Sequence, residues 1–241
     1  MANLVIDIGN TAVKAAWADG MTLGKTFRYQ GERVMDFILS LTVKVKPEVM
    51  VISSARELYP KDRDILEKEC GSLVVIGAQN SGVLSGYGLP PYLTPDRAAS
   101  VIAAKYLFKG KGCTVFDFGT TLTVDFIDVD GGYAGGNISV GCRTRFKAIN
   151  RYSKRLPLLD TPDVVAPLGT SLCTSVESGI IQGIIYEIEG YIGQNPENII
   201  VFTGGDAIYF AKRMKNSIFV VCNLVLMGLA LMADNYDKKL V

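Results

Sequence analysis

Two segments of this chain, 110 residues apart, have nearly the same sequence pattern. Residues 5–17 read VIDIGNTAVKAAW and residues 115–127 read VFDFGTTLTVDFI. In each segment an apolar run reaches an aspartate, Asp7 or Asp117, turns at a glycine and resumes as a second apolar run. Self-similarity at a fixed offset indicates two copies of one domain, each with a polar β-hairpin turn at the same place.

The composition of both turns suits a bound phosphate. Gly9 and Gly119 allow the backbone to approach a ligand closely, and free turn N–H groups with Asn or Thr side chains can donate to phosphate oxygens. An ionised aspartate only accepts hydrogen bonds, so its useful role beside phosphate is to hold a hard cation such as Mg²⁺. Two ordinary Asp-x-Gly hairpins are the alternative. The occurrence of both turns at the same position of the repeat favours phosphate binding over this alternative.

Length and charge limit the classes of function. The chain has 241 residues, of which 49% are apolar and 20% are charged, and its net charge is +1. Together with the repeat, this predicts two domains, 1–112 and 113–241. No run of Lys or Arg exceeds two residues, which argues against nucleic-acid and membrane-surface partners.

Cysteine and histidine content narrow the chemistry further. The five cysteines form no C-x-x-C pair, so a zinc ribbon and a disulfide scaffold are both disfavoured, and reduced thiols in a cytoplasmic protein are expected. The absence of histidine excludes Ser-His-Asp and Cys-His mechanisms and His-ligated metals. Acid–base chemistry is left to Asp, Glu, Lys, Tyr or Cys.

Apolar periodicity alternates between strand-like and helix-like segments, which predicts an α/β protein with mixed sheets because each half begins with a hairpin. A long loop is expected over 78–95 and irregular structure over 150–168. Strands are predicted at 4–8, 12–18, 22–29, 48–53, 73–76 and 198–202, helices at 34–43, 61–70, 97–107, 174–193 and 206–215, and a buried strand followed by a packed helix within 218–233.

Residues 87–97, YGLPPYLTPDR, form a second informative stretch. Three prolines stiffen it, and Asp96 lies where the following helix is expected to start. An N-cap aspartate is the common explanation. In the functional alternative, Asp96 accepts a proton from a bound hydroxyl and Arg97 fixes an anionic group. Phosphoryl transfer requires no strong base because its transition state is loose, so we favour the functional alternative beside two phosphate turns.

Two glycine-rich segments remain open to two interpretations each. The run 131–141 allows either close approach of a ligand or partner, or simple turns. Thr203, Gly204 and Gly205 end a predicted strand. They leave room for a flat ring such as adenine, and they are equally compatible with a plain strand–helix turn.

These motifs, in this order, resemble the type III pantothenate kinase family. That family belongs to the actin, hexokinase and acetate-kinase superfamily of duplicated ribonuclease-H-like (actin-like ATPase) α/β domains. The match runs from Asp7 to about Leu231. Its first phosphate motif, D-x-G-N-T-x-x-K, is matched by Asp7, Gly9, Asn10, Thr11 and Lys14; its second, D-x-G-T-x-x-T-x-D, by Asp117, Gly119, Thr120, Thr123 and Asp125; its Tyr and Pro by Tyr87 and Pro90; its Asp-Arg pair by Asp96 and Arg97; and its T-G-G adenosine motif by Thr203 to Gly205.

The resemblance implies a homodimeric, ATP-dependent kinase. It would phosphorylate the primary hydroxyl of pantothenate to give 4'-phosphopantothenate, the first step of coenzyme A biosynthesis, with Mg²⁺ and a monovalent cation, K⁺ or NH₄⁺. By the same resemblance Asp96 is the catalytic base and Asp117 holds the monovalent cation. ATP would be bound by Asp7, Gly9, Asn10, Thr11, Lys14, Thr120, Thr203, Gly204 and Gly205, and pantothenate by Tyr87, Thr94, Pro95, Asp96 and Arg97.

The chain departs from the family pattern at three places. Thr94-Pro95 replaces a family G-x before the Asp-Arg pair, and Val140-Gly141 replaces a Pro-Gly. Leu172 stands where the family has a threonine that helps bind pantothenate, with Thr170 and Thr174 on either side. A different class of function also exists on this scaffold, because the Bvg accessory factors, named for a transcriptional effect, resemble the same family. A regulatory or binding protein is therefore the alternative, although it would have no use for Asp96.

Overall fold

The computed structural model describes residues 2–56, 58–77 and 81–240. The chain divides into two compact units, one formed by Met1–Leu107 with Asn223–Val241 and the other by Phe108–Cys222. Along the chain the elements are β1 (Asn3–Ile8), β2 (Val13–Asp19), β3 (Thr22–Tyr29), α1 (Val34–Thr42), β4 (Val49–Ser54), α2 (Pro60–Glu67), β5 (Ser72–Ile76), α3 (Ser81–Ser85), α4 (Pro95–Leu107), β6 (Cys113–Phe118), β7 (Thr121–Ile127), β8 (Tyr133–Val140), α5 (Cys142–Tyr152), α6 (Leu172–Gln194), β9 (Ile199–Gly204), α7 (Ala207–Ala211), β10 (Ile218–Val220) and α8 (Leu224–Leu240).

The first unit contains a five-stranded mixed sheet in the order β3-β2-β1-β4-β5. Strands β1, β2 and β3 are antiparallel neighbours, whereas β4 and β5 continue the sheet in parallel. Alternate residues of β1 point to opposite faces. Leu4, Ile6 and Ile8 join a core cluster with Ile38 of α1 and Leu66 of α2, so α1 and α2 cover that face.

Helices α4 and α8 pack together and on the first unit's sheet, where α8 contacts β1 and β4. Their backbones are close, because a Cβ added at Gly228 of α8 would lie 1.9 Å from the carbonyl oxygen of Ala99 in α4. The apolar side of α8 is buried by this packing (Leu224, Leu226, Leu229, Ala230, Met232 and Ala233). The last helix therefore belongs to the first unit, unlike the predicted division at residue 112.

The second unit repeats the strand pattern of the first. Its sheet has the order β10-β9-β6-β7-β8, in which β6, β7 and β8 are antiparallel neighbours and β9 and β10 continue in parallel. β1 at Asn3–Ile8 and β6 at Cys113–Phe118 are related by the offset of 110 seen in the sequence. Two mixed sheets of one topology confirm the expected duplicated α/β architecture.

The core of the second unit lies between its sheet and α6. The isoleucine stripe of that helix, including Ile181, Ile184 and Ile188, packs with Phe116 of β6 and Phe202 of β9. This burial gives the helix its stability, and a capping box formed by Ser171 and Thr174 starts it.

Several predicted elements differ from those observed. Helix α3 lies within the predicted loop, residues 78–80 of which lie outside the described residues. α5 was not predicted, because only two of its residues, Cys142 and Phe146, are buried. Strand β10 is an edge strand with Phe219 52% exposed, so the expectation of a buried strand is wrong. α7 ends at Ala211 instead of residue 215.

Across the described ranges, none of the helices combines the length and the apolar character that crossing a bilayer requires.

Candidate active site

The first phosphate turn follows directly from the end of β1. The Gly9 N–H donates to the carbonyl oxygen of Ala12 at 3.1 Å and closes the turn. A Cβ at Gly9 would lie 3.2 Å from that oxygen, so glycine keeps the turn tight. Asn10 and Thr11 are exposed at its tip, where both can reach a ligand.

A polar row crosses the first sheet beside this turn. Asp7 of β1 lies opposite Lys14 of β2 and opposite Ser53 of β4, and the Ser53 hydroxyl donates to Asp7 Oδ1 at 3.3 Å. Side chains directly opposite each other on neighbouring strands share one face. The two charged members of the first phosphate motif are therefore neighbours.

The electrostatics of Asp7 also place Asp96 nearby. The pKa of Asp7 is raised to about 6, first by burial of the carboxyl group and next by the negative charge of Asp96, while Lys14 and the Ser53 hydrogen bond act in the opposite direction. The charge of Asp96 thus acts on Asp7, which is paired in register with Lys14 near the end of β1.

Asp96 lies in the first turn of α4, one residue after the helix begins at Pro95. The Thr94 carbonyl accepts the first helical hydrogen bond, from Ala98 N–H at 2.9 Å. Asp96 is therefore not an N-cap residue, and the common alternative for it is wrong. A carboxylate in the first turn is stabilised by the helix dipole.

The other predicted pantothenate residues differ in accessibility. Thr94 is exposed and Tyr87 is half-buried, whereas Pro95 is buried and Arg97 is only 5% exposed. Tyr87 is held from two sides of the first unit: Asn235 Nδ2 donates to its hydroxyl at 3.5 Å and Lys105 Nζ donates to its carbonyl at 3.4 Å.

The second phosphate turn is held by the start of α5. The Gly119 N–H donates to the Thr121 carbonyl at 3.0 Å, and the Thr120 carbonyl accepts from Gly141 N–H at 3.1 Å and from the Thr144 hydroxyl at 2.8 Å. A Cβ at Gly141 would lie 2.1 Å from the Gly119 oxygen. Glycine is needed at position 141 because its backbone packs directly against this turn. The Thr120 side chain remains exposed.

Asp117 lies beside the T-G-G segment of β9. Its register partner on that strand is Thr203, which is buried. Gly204 has φ +92°, and a Cβ there would lie 2.4 Å from Asp117 Oδ1. The Gly205 N–H donates to the Phe118 carbonyl at 2.8 Å. Within the second unit, the predicted cation-holding residue and the predicted adenosine motif are therefore adjacent.

Two polar residues near these turns were missed by sequence reasoning. Asp206 follows Gly205, and burial raises its pKa while Arg143 opposes the rise; its position directly after the glycine pair was the available signal. Arg56 donates from Nη2 to the Asn10 carbonyl at 2.8 Å. No local pattern marks Arg56, because the contact joins positions far apart in the sequence.

Leu172, which replaces the family's pantothenate-binding threonine, is 55% exposed at the start of α6. The Thr174 hydroxyl accepts from Thr170 N–H at 3.0 Å and from Ser171 N–H at 2.9 Å, so it serves the helix cap. Thr170 is exposed. Of the two flanking threonines, only Thr170 has its side chain outside the cap.

The two aspartates predicted to hold cations, Asp7 and Asp117, belong to different units. In residues 2–56, 58–77 and 81–240, no three His, Cys, Asp or Glu residues cluster as a metal-binding group. Burial and the charge of Asp96 raise the pKa of Asp7, and a cation beside its carboxyl group would favour the ionised form.

Comparison with known proteins agrees with this geometry. The family model for type III pantothenate kinase matches residues 3–194. A type III pantothenate kinase from Phocaeicola vulgatus is 36% identical over 241 residues, covering 98% of this chain and 99% of that protein.

Solved structures show the same fold. A conserved Baf family protein from Campylobacter jejuni has a TM-score of 0.66 at 20% identity, covering 98% of this chain and 99% of that one. The ROK hexokinase of Thermus thermophilus has a TM-score of 0.56 at 14% identity, covering 99% and 100%. The likeness to a hexokinase confirms the expected superfamily fold. Because the family model spans most of the sequence and a relative matches it from end to end, this chain belongs to the type III pantothenate kinase family.

Proposed function

We propose that this protein transfers the terminal phosphoryl group of ATP to the primary hydroxyl of pantothenate, giving 4'-phosphopantothenate for coenzyme A biosynthesis. The observation that carries the proposal is that Asp7 is paired with Lys14 beside the first phosphate turn and is influenced by the charge of Asp96, in a chain that belongs to a family of kinases. A binding protein without catalysis would need no carboxylate at position 96.

The residues of the first unit have different roles in the proposed reaction. Asn10 and Thr11, exposed at the turn, donate hydrogen bonds to phosphate oxygens. Lys14 offsets the negative charge of the phosphate. Asp96 orients the attacking hydroxyl and accepts its proton. Positioning and charge stabilisation supply most of the rate in such transfers, so a weak carboxylate base is sufficient.

Mg²⁺ and a monovalent cation complete the proposal. Asp7 would hold Mg²⁺, directly or through water, and the ion would neutralise charge between phosphate oxygens. Asp117, beside Gly204 at the second turn, would hold K⁺ or NH₄⁺. Thr120, Gly204 and Gly205 would contact ATP, while Tyr87 and Thr94 would contact pantothenate. The buried Arg97 and Pro95 would act by shaping the start of α4.

The remaining expectations are a homodimer and a cytoplasmic location. An apolar groove on α5 and α6, lined by Ile149, Leu172, Val176 and Ile180 with Arg145 at its polar side, offers a surface that a second copy could cover. Reduced thiols are compatible with the cytoplasm.

The decisive experiment is a coupled assay of ADP release with ATP, Mg²⁺, pantothenate and K⁺, omitting one component at a time. We expect turnover only when all are present, and product identified by mass as phosphopantothenate. Asp96→Asn should lower kcat by roughly 100-fold or more, because general base catalysis contributes on that order, while nucleotide-induced thermal stabilisation should persist. Asp64→Asn, an exposed position on α2, is the control. Undiminished turnover of Asp96→Asn would remove Asp96 from the mechanism, and nucleotide binding without phosphorylated product would favour the regulatory alternative.

A further inference from the structure

Arg56 contacts the first phosphate turn but belongs to none of the motifs that carry the family resemblance. Its Nη2 donates to the Asn10 carbonyl at 2.8 Å. Its backbone is fixed by Ser54, whose hydroxyl accepts from the Arg56 N–H at 3.2 Å and donates to the Arg56 carbonyl at 2.6 Å. The preceding residue, Ala55, donates to the Ile8 carbonyl at 3.1 Å. The guanidinium is therefore presented to the turn by a locally tied segment.

Arg56 approaches the turn from the side opposite to Asp7. It lines a small cleft with Ile8, Val13 and Tyr29. Ile8 and Val13 belong to the core cluster on the face covered by α1 and α2, whereas Asp7, one position before Ile8 in β1, faces the other way. Arg56 and the Asp7–Asp96 pair therefore lie on different sides of the turn.

Because the peptide bond is planar, the contact with the Asn10 carbonyl also fixes the direction of the Thr11 N–H group. In a trans peptide the C=O and N–H groups lie in one plane and point in opposite directions. Because the Asn10 carbonyl points towards Arg56, the Thr11 N–H points away from Arg56. A charged donor makes the stronger kind of hydrogen bond, so the peptide between Asn10 and Thr11 is held in that orientation.

We propose that Arg56 is a positioning residue for the phosphate chain of ATP. It keeps the Asn10 carbonyl, which would repel phosphate oxygens, away from the nucleotide and directs the Thr11 N–H towards it. This inference rests on the proposed kinase function. The exposed guanidinium acts through the turn and is not itself a catalytic group.

The test compares Arg56→Met, Arg56→Lys and the control Arg63→Ala. Met keeps an unbranched apolar stem without a donor, and Lys keeps a charged donor. Arg63 is an exposed residue of α2 whose Nε lies 3.1 Å from Glu67 Oε1 on the same helix. We expect Arg56→Met to raise KM for ATP roughly tenfold, the loss expected for one hydrogen bond from a charged donor. KM for pantothenate should stay within about twofold, Lys should restore part of the loss, and Arg63→Ala should match the wild type.

A catalysis-independent readout separates this inference from the proposed function. A nonhydrolysable ATP analogue with Mg²⁺ should raise the Tm of the wild type and raise that of Arg56→Met less. Equal stabilisation of both proteins, or an equal rise of both KM values in Arg56→Met, overturns the role of Arg56 alone. Absence of turnover and of stabilisation in the wild type overturns the proposed function instead. If Arg56→Met does not fold, Arg56→Lys decides: a raised KM for ATP with an unchanged KM for pantothenate supports the role, and an unchanged KM for ATP or a fall in thermal stability without nucleotide overturns it.

Discussion

At the scale of single residues, the most informative group is Asp7. Its pKa near 6 arises from burial and from Asp96, against Lys14 and Ser53. Such a carboxylate is ionised at neutral pH, but its pKa lies closer to neutral pH than that of an ordinary aspartate. A bound cation would lower this pKa and favour the ionised form. The proposed cation-binding residue is thus also a source of instability in the cation-free protein.

We expect the activity to fall as the pH is lowered through about 6, because protonated Asp7 cannot hold a cation. Asp96→Asn removes the negative charge that, after burial, raises this pKa, so the pH at which Asp7 titrates should move down in that variant. NMR of labelled aspartate carboxyl groups, recorded across a pH titration without nucleotide, measures the Asp7 pKa in the wild type and in Asp96→Asn. An unchanged Asp7 titration in Asp96→Asn would contradict their proximity.

Stability without metal should have the opposite pH dependence. The folded-state pKa of Asp7 exceeds the ordinary value of 3.8, so the folded state binds the proton more tightly and loses stability as the pH rises from about 4 through about 6. Asp7→Asn should therefore increase the free energy of unfolding at pH 8 by up to about 3 kcal/mol while abolishing activity. Denaturant titration at pH 8 and pH 4, with Asp64→Asn as the control, checks this. A variant less stable than the wild type at pH 8 would contradict the assignment.

At the scale of elements, the contact between α4 and α8 governs where Asp96 lies. Gly228 permits it, since a Cβ there would meet three backbone atoms of Ala99 at 1.9 to 2.8 Å. Backbone atoms cannot move aside as a flexible side chain can, so any larger residue must push the helices apart.

Gly228→Ala should lower the free energy of unfolding by about 1–3 kcal/mol and reduce kcat, because α4 carries Asp96. The matched control is Gly190→Ala in α6, where nothing lies within 4 Å of the added Cβ and a helix-interior alanine should be neutral or stabilising by up to about 1 kcal/mol. Thermal denaturation and the coupled assay measure the two effects. Equal stability of Gly228→Ala and the wild type would argue against the close packing.

The same scale shows what the sequence can and cannot predict. The paired hairpins are predictable because their signals, apolar alternation and an Asp-x-Gly turn, are local. α5 was missed because a helix with only Cys142 and Phe146 buried has little apolar periodicity. The approach of Asp96 to Asp7 and of Arg56 to Asn10 depends on long-range packing. No spacing rule gives such contacts, and only the family resemblance linked the two aspartates.

At the scale of the whole molecule, the first unit is built from both ends of the described chain. Residues 223–241 join residues 1–107, with residues 108–222 between them in sequence. Sequence reasoning assigned the last helix to the second domain because chain order suggested it. Burial shows otherwise, since Leu224, Leu229 and Ala233 are all fully covered by the first unit.

Removal of residues 223–241 should therefore unfold the first unit selectively. The truncation uncovers the apolar surfaces of β1, β4 and α4 that α8 covers, which a single domain of this size cannot tolerate. In hydrogen exchange, peptides from β1 and β4 should lose protection while peptides from β6 and β9 keep it, and the latter act as the internal control. Loss of protection in β6 and β9 alone would show that the helix belongs with the second unit.

The return of the chain to its first unit has a consequence for how the protein is made. Because a ribosome delivers residues in order, the segment ending at Cys222 can fold as soon as it emerges, whereas the unit begun earlier waits for its final helix. Until Leu224 and its neighbours arrive, the nascent chain carries an open hydrophobic sheet face. Chaperone capture of the nascent protein should thus persist until α8 has emerged from the ribosome.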